Sequence, residues 1–245
     1  MSKNAKVLRR GGGNRGRPGL GRATGAPVAC AAMVESGLSG RRGEARRNDD
    51  SILSAARAVL VANPDAPVAA VASRAGVSMS AMYRRYPAKE DLLVRLCVDG
   101  LDQYIAIAQA AVDDRDGDPW DVFARFMAEI VAADTITLAV HLAGRFTPTA
   151  ELQDKAALAF DLNERIIGRA QGAGVLRRDV NAHDLSNVFE QVASIQGDGA
   201  ERTGQLRTRY LALHLDALCD TGRRPLPGPP PTADEISSRW RPRSS

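Results

Sequence analysis

The sequence predicts an all-α fold, in which a small three-helix unit holding a helix-turn-helix precedes a larger helical domain. Three observations predict it. Between the two tails nearly every segment repeats its apolar residues with a period near 3.6, and strand-like alternation is nearly absent. The third is local: the small Ala72, Gly76 four positions on and the apolar Met82 six further lie among short helical signals, as two helices joined by a sharp turn require. With 245 residues, 44% of them hydrophobic and 25% charged, the chain can bury a real core. A wholly disordered chain and a disulfide miniprotein are excluded.

Residues 1–44 are rich in Gly, Arg, Ala and Ser around Arg9-Arg10-Gly11-Gly12-Gly13, which predicts a flexible basic arm. Residues 45–101 hold the three-helix unit. Its first helix runs from Ile52 to Ala62, the second ends near Ala75, Gly76 turns the chain, and Ser78 opens the third. Pro67 stands where the second helix opens, so its cap is expected to fall to Asp65. From Ala88 to Val112 the pairs Leu92/Leu93, Leu96/Cys97, Gly100/Leu101 and Tyr104/Ile105 recur about every four residues. That is one long amphipathic helix of roughly 37 Å, at about 1.5 Å per residue.

Residues 102–222 form the larger domain. Pro119 sits in the first turn of the next helix, which presents Val122, Phe123, Phe126, Met127 and Ile130. Pro148 is expected to open another, closed at Gly172-Ala173-Gly174. Asn181 or Asp179 caps a helix carrying Leu185, Val188, Phe189 and Val192, and Thr203 is expected to cap the last. That last helix has two apolar lines, Leu206-Tyr210-Leu213-Ala217 and Leu211-Leu215-Leu218. One line can meet the chain's own core; the other wants a partner, most economically a second subunit, which predicts a homodimer through the last two helices. A fully interior helix is the alternative. Residues 223–245 carry Pro225, Pro227 and Pro229-Pro230-Pro231 and predict an extended tail.

Each part of the turn has a physical reason. Ala72 is small where two helices cross closely, and Gly76 can take the positive φ of a sharp turn. Val71, Val77 and Met82 point back at the first helix. Ser78 can cap the third helix, whose first N–H groups are then offered to a phosphate. In a helix-turn-helix that helix enters the major groove. Tyr83, Arg84, Arg85 and Tyr86 follow directly, then Pro87-Ala88-Lys89-Glu90-Asp91-Leu92-Leu93.

Over residues 46–101 these motifs resemble the tetracycline-repressor (TetR/AcrR) family of bacterial transcription regulators, in order and in spacing. The resemblance implies a DNA-binding domain in which Tyr83, Lys89 and Ser78 contact phosphates. It places Met79, Ser80, Ala81, Arg84 and Arg85 near base edges, with Tyr86 packed into the small domain. Arginine can grip guanine O6 and N7 together, worth about 1–3 kcal/mol of discrimination. The chain departs from the family pattern at Pro67, at Ala69 where a polar reader is usual, and at Ser80-Ala81 where glycine-threonine is usual. These departures bear on which DNA sequence is read, not on the fold. The competing reading makes Tyr83 and Tyr86 core aromatics and Arg84-Arg85 a solvated corner.

The resemblance further implies a cytoplasmic homodimer on double-stranded DNA, a repressor released from a pseudo-palindromic operator when an unknown small-molecule effector tilts the long helix. Candidate pocket residues are Trp120, Phe123, Phe126, Met127, His141, Arg145 and Phe146; a plain core stripe is the competing reading. Two other classes stand beside this one: a regulator controlled by a protein partner, and an all-helical enzyme. Against the enzyme stand the lack of paired catalytic groups and of a cofactor loop, so no catalytic residue and no cofactor is expected.

Charge divides unevenly. Residues 1–47 carry 11 basic and 2 acidic side chains, 48–101 carry 6 of each, 102–220 carry 11 and 19, and 221–245 carry 5 and 2. The basic arm would add non-specific DNA affinity by counterion release; an alternative start at Met33 would remove most of it. Cys30, Cys97 and Cys219 stand far apart, giving neither a disulfide framework nor a metal site. A reducing compartment fits them. The run Ala26–Val34 lacks the apolar segment of a signal peptide before Cys30, and Ile130–Gly144 is too short to span a bilayer, so no membrane association is expected.

Overall fold

The computed structural model describes residues 48–220, 222 and 224–240. The expected basic arm at 1–44 and the alternative start at Met33 lie outside them. Helix α1 is described over 48–62. It is followed by α2 (Val68–Ala75), α3 (Met79–Arg85), α4 (Lys89–Asp113), α5 (Pro119–Ala133), α6 (Thr135–Leu142), α7 (Ala150–Gly172), α8 (Ala182–Ser194) and α9 (Gly199–Leu218). No strand occurs among the described residues; Leu176 and Cys219 share a single antiparallel bridge.

Gly76 turns the chain with φ 68°, and its N–H and that of Val77 close the end of α2 by donating to the Ser73 and Ala72 carbonyls. Ser78 caps α3, its Oγ accepting from the Ala81 N–H at 3.2 Å. The cap expected at Asp65 does not form: Pro67 is the capping residue of α2 and its ring has no acceptor to offer, while the Asp65 carboxylate pairs with Arg145. Pro148 lies outside α7, which Thr149 caps by accepting from the Leu152 N–H at 3.3 Å. Nor does Thr203 cap the last helix. That helix begins a turn earlier at Gly199, and Thr203 Oγ1 instead accepts from the Gly197 N–H at 2.9 Å.

The break between α5 and α6 carries much of the architecture. Asp134 adopts the left-handed conformation, φ 52°, and so ends one helix and starts the next within an unbroken apolar stretch. Its carboxylate accepts from Thr137 Oγ1 and from Arg207 at 2.7 Å. Arg207, 7% exposed on α9, also donates to the Ile195 and Ala193 carbonyls at 3.2 and 2.7 Å. One buried guanidinium thereby ties α9 to the end of α8 and to the α5–α6 corner.

Two apolar clusters hold the described chain. In the larger, Tyr104, Phe126 and Phe189 meet edge to face with centroids 6.0–6.1 Å apart, and Tyr104 Oη donates to Asn163 Oδ1 at 2.9 Å. The smaller gathers Ile52, Leu60, Val71, Met82 and Leu96, and also Leu138, Leu142, Phe146 and Leu152 from far along the chain. The boundary expected at residue 101 therefore falls inside α4, and the small core is completed by α6 and α7. The tail is not simply extended: Thr232 and Glu235 form a capping box that starts α10 (Ala233–Ser237), which runs on into a 3₁₀ turn. Among the described residues no helix is long and apolar enough to cross a membrane.

Candidate nucleic-acid interface and effector cavity

On α3 the residues divide by face, as helical spacing dictates. Met82 is fully buried beneath it, while Met79, Ser80, Tyr83 and Arg84 are exposed on the other side. Ser78 lies exposed at the start, sharing a 3.0 Å hydrogen bond with Ser80, and Ala81 is half-buried. Tyr83 is 50% exposed and Arg84 makes no ion pair or hydrogen bond among the described residues. These side chains form one exposed face of α3.

Two of the residues expected to contact DNA bond to groups of the protein itself. Arg85 donates to both carboxylate oxygens of Asp49, at 2.8 and 2.6 Å, and its guanidinium lies 5.8 Å from the Tyr86 ring centroid. Tyr86, 5% exposed, donates to the same carboxylate at 2.7 Å. The Arg85 hydrogen bond, opposed by burial and aided by Tyr86, holds the Asp49 carboxyl below its usual range. Lys89 Nζ donates to the Ala66 carbonyl at 2.9 Å. Both groups fix the frame of α3: Arg85 ties its end to α1, and Lys89 ties α4 to the loop before α2.

A cavity of about 520 Å³ opens between α4, α6 and α7. Leu96, Gly100 and Leu101 of α4, Ile136 and Leu138 of α6, and Leu152 of α7 give it an apolar wall. Polar groups on it are few. Tyr104 is committed to Asn163, Gln153 stands exposed, Ser237 of α10 reaches it from the tail, Arg57 comes from α1, and Thr135 opens α6. Cys97 also lines it, its thiol pushed up to about 12 by burial. Apolar concavities of this size with few polar groups are the usual form of small-molecule sites. Among the described residues no group of three or more His, Cys, Asp or Glu side chains could hold a metal ion.

Residues 52–96 match the family model of bacterial regulatory proteins, tetR family. Over that segment the chain is similar to the tetR family. TetR-family proteins are DNA-binding regulators rather than enzymes. Among solved structures, the TetR-like regulator LfrR from Mycobacterium smegmatis in complex with proflavine is similar at 21% identity and a TM-score of 0.50, covering 74% of this chain and 99% of that one. The ketosteroid regulator KstR2 of Mycobacterium tuberculosis is similar at 17% identity and a TM-score of 0.53, covering 71% of this chain and 95% of that one. A TetR regulatory protein from Mycobacterium vanbaalenii is similar at 22% and 0.50, covering 73% and 98%. At such identities the likeness shows the fold. Among curated proteins none matches the sequence.

The cavity beside α4 has none of the seven side chains expected in a ligand pocket. Phe123, Phe126 and Met127 are at most 1% exposed because the α5 stripe faces the larger core, where Trp120 lies against Phe123 with centroids 5.8 Å apart. Phe146 is buried in the smaller core, Arg145 is taken by Asp65, and the buried His141 Nδ1 has no partner among the described residues. The sequence signal for this cavity was α4: its Gly100, whose missing side chain lets α6 approach to within 3.5 Å of a Cβ position, lies between Cys97 and Tyr104 on one stripe.

Proposed function

We propose that this chain is a DNA-binding transcription repressor, released from a pseudo-palindromic operator when a small molecule enters the cavity beside α4. The observation that carries the DNA reading is the exposed face of α3, where Tyr83 and the unpaired Arg84 stand beside Met79 and Ser80 on a helix locked from behind by Met82. Ser78 and Tyr83 serve the phosphates and Arg84 a base edge; Arg85 and Lys89 act as braces. Residues 45–101 do the reading, and 102–222 sense the effector together with Arg57, Leu96 and Gly100 of the first part, the single helix α4 serving both clusters.

Two such readers require a dimer. The outer line of α9 supports one: Tyr210 and Leu213 are 44% and 55% exposed, while Leu211 and Leu218 on the inner line are buried. Exposed apolar residues in a row mark an interface more often than scattered ones do. Half-sites lie about 34–36 Å apart or at multiples of that, so a small tilt of α4 is enough to spoil the match. A tenfold to hundredfold loss of operator affinity needs only the ~1–3 kcal/mol typical of coupling between sites. That LfrR is seen with proflavine supports a cavity ligand here.

Selection of bound fragments from the source genome tests this. A recurring inverted repeat bound by the wild type and not by Arg84→Ala is expected. Fragments with no shared sequence, or equal recovery with the variant, would remove the reading.

A further inference from the structure

Two of the few polar groups on the cavity wall, Thr135 and Arg57, are at least partly buried and have no partner among the described residues. Thr135 is only 5% exposed, and its Oγ1 has no hydrogen-bond partner among the described residues. A buried hydroxyl left so costs stability, and native structures keep such groups where something else supplies the partner. Arg57, half-buried on α1, makes neither an ion pair nor a hydrogen bond among the described residues. It lines the cavity together with Cys97. Asp99, which also feels Arg57, is paired with Arg95 at 2.9 Å. A guanidinium taken partly out of water beside Leu96 and Leu101, with the nearby Asp99 carboxylate already shared with Arg95, gains a partner of its own when an anion enters the cavity.

We propose that the effector is an amphipathic anion, whose apolar body fills the cavity and whose single carboxylate or similar head engages the Arg57 guanidinium and the Thr135 hydroxyl. This rests on the reading of the cavity as the effector site and adds the chemical class of what it takes. Arginine suits a carboxylate because its fork gives two parallel charge-assisted bonds. A cation is disfavoured by Arg57, and a neutral molecule leaves the guanidinium unanswered. Arg57 stands on α1, five positions after Ile52 in the helix that backs the turn and α3. The ligand head is therefore held by the reading half of the chain and by α6 at once, so the effector acts on α1 directly as well as through α4.

The test uses the full chain and three probes of one tail and different heads: dodecanoate, dodecanol and dodecyltrimethylammonium, titrated calorimetrically below micelle-forming concentrations. Dodecanoate is expected to bind at least ~10-fold tighter than dodecanol, with the ammonium weakest. Arg57→Met erases the preference by weakening dodecanoate while leaving dodecanol within ~2-fold, and Thr135→Val weakens dodecanoate by a smaller factor. Equal binding of dodecanoate and dodecanol, or a preference that survives Arg57→Met, overturns the proposal while leaving the cavity reading in place. Ala139→Trp fills the cavity and should abolish both; Ala156→Trp serves if that variant does not fold. Binding by neither probe, or binding untouched by the filled cavity, overturns the cavity reading and this proposal with it.

Discussion

Arg145, in the turn after α6, grips Asp65, in the loop before α2, across 80 positions of sequence. Lys89 holds the neighbouring Ala66 carbonyl from the start of α4. Two cations from different parts of the chain thus clamp the segment that aims α2 and, through Gly76, α3. The pair is exposed, so it adds little to stability. Its effect is on local opening. Arg145→Gln is expected to raise amide hydrogen exchange severalfold over residues 63–70, to leave α7 and α9 unchanged, and to move the thermal midpoint by less than ~2 °C.

Asp49 serves three functions at one carboxylate: it receives Arg85, receives Tyr86, and fixes α1 to the end of α3. Asp49→Ala leaves the buried Tyr86 hydroxyl without a partner, so a loss of ~1–3 kcal/mol in denaturant unfolding is expected. Because the native carboxyl is held below its usual 3.8, it contributes stability that is fully present above that pH and lost as pH falls through the lower native value. Asp49→Asn should therefore flatten the acid limb of the stability curve.

Gly76 is the one residue of the turn whose backbone forbids most alternatives. At φ 68° a side chain is strained although nothing lies within 4 Å of the Cβ position. Gly76→Ala is expected to cost ~1–2 kcal/mol, measured by thermal or denaturant unfolding, with no change in packing.

Arg207 binds three acceptors from a nearly closed site. Arg207→Met keeps the stem and removes the bonds, leaving the Ala193 carbonyl and the partly exposed Asp134 carboxylate unanswered. A loss of ~2–4 kcal/mol in unfolding is expected, with α6 loosened because Asp134 is its first anchor.

What was legible in the sequence was local. Gly76 and Ser78 act within a few residues of themselves, and the α4 stripe is a period that packing only had to accept. What was not legible depended on distant partners. Nothing near Arg85 marks it as spent on Asp49, 36 positions away, nor Lys89 as spent on Ala66, 23 positions away. An arginine beside a turn looks the same whether it reads a base or braces a helix. The cavity beside α4 was not legible for a related reason: the aromatic stripe of α5 was the most conspicuous apolar feature, and large rings fill space rather than leave it. The wall instead uses Gly100, Ala139 and Ala156, whose small side chains leave room. The α5–α6 corner was hidden because Asp134 interrupts the helix by backbone conformation while the apolar pattern runs on through it.

The central claim is that the exposed face of α3 reads DNA through Tyr83 and Arg84. Its most direct test is a hydroxyl-radical footprint on a selected genomic fragment, for the wild type and for Arg84→Ala, with circular dichroism confirming equal helicity. Two protected half-sites about 34–36 Å apart, or a multiple of it, are expected for the wild type. For Arg84→Ala the affinity is expected to fall tenfold to hundredfold, the equivalent of ~1–3 kcal/mol. A footprint unchanged by the substitution, or protection with no discrete half-sites, would contradict the account.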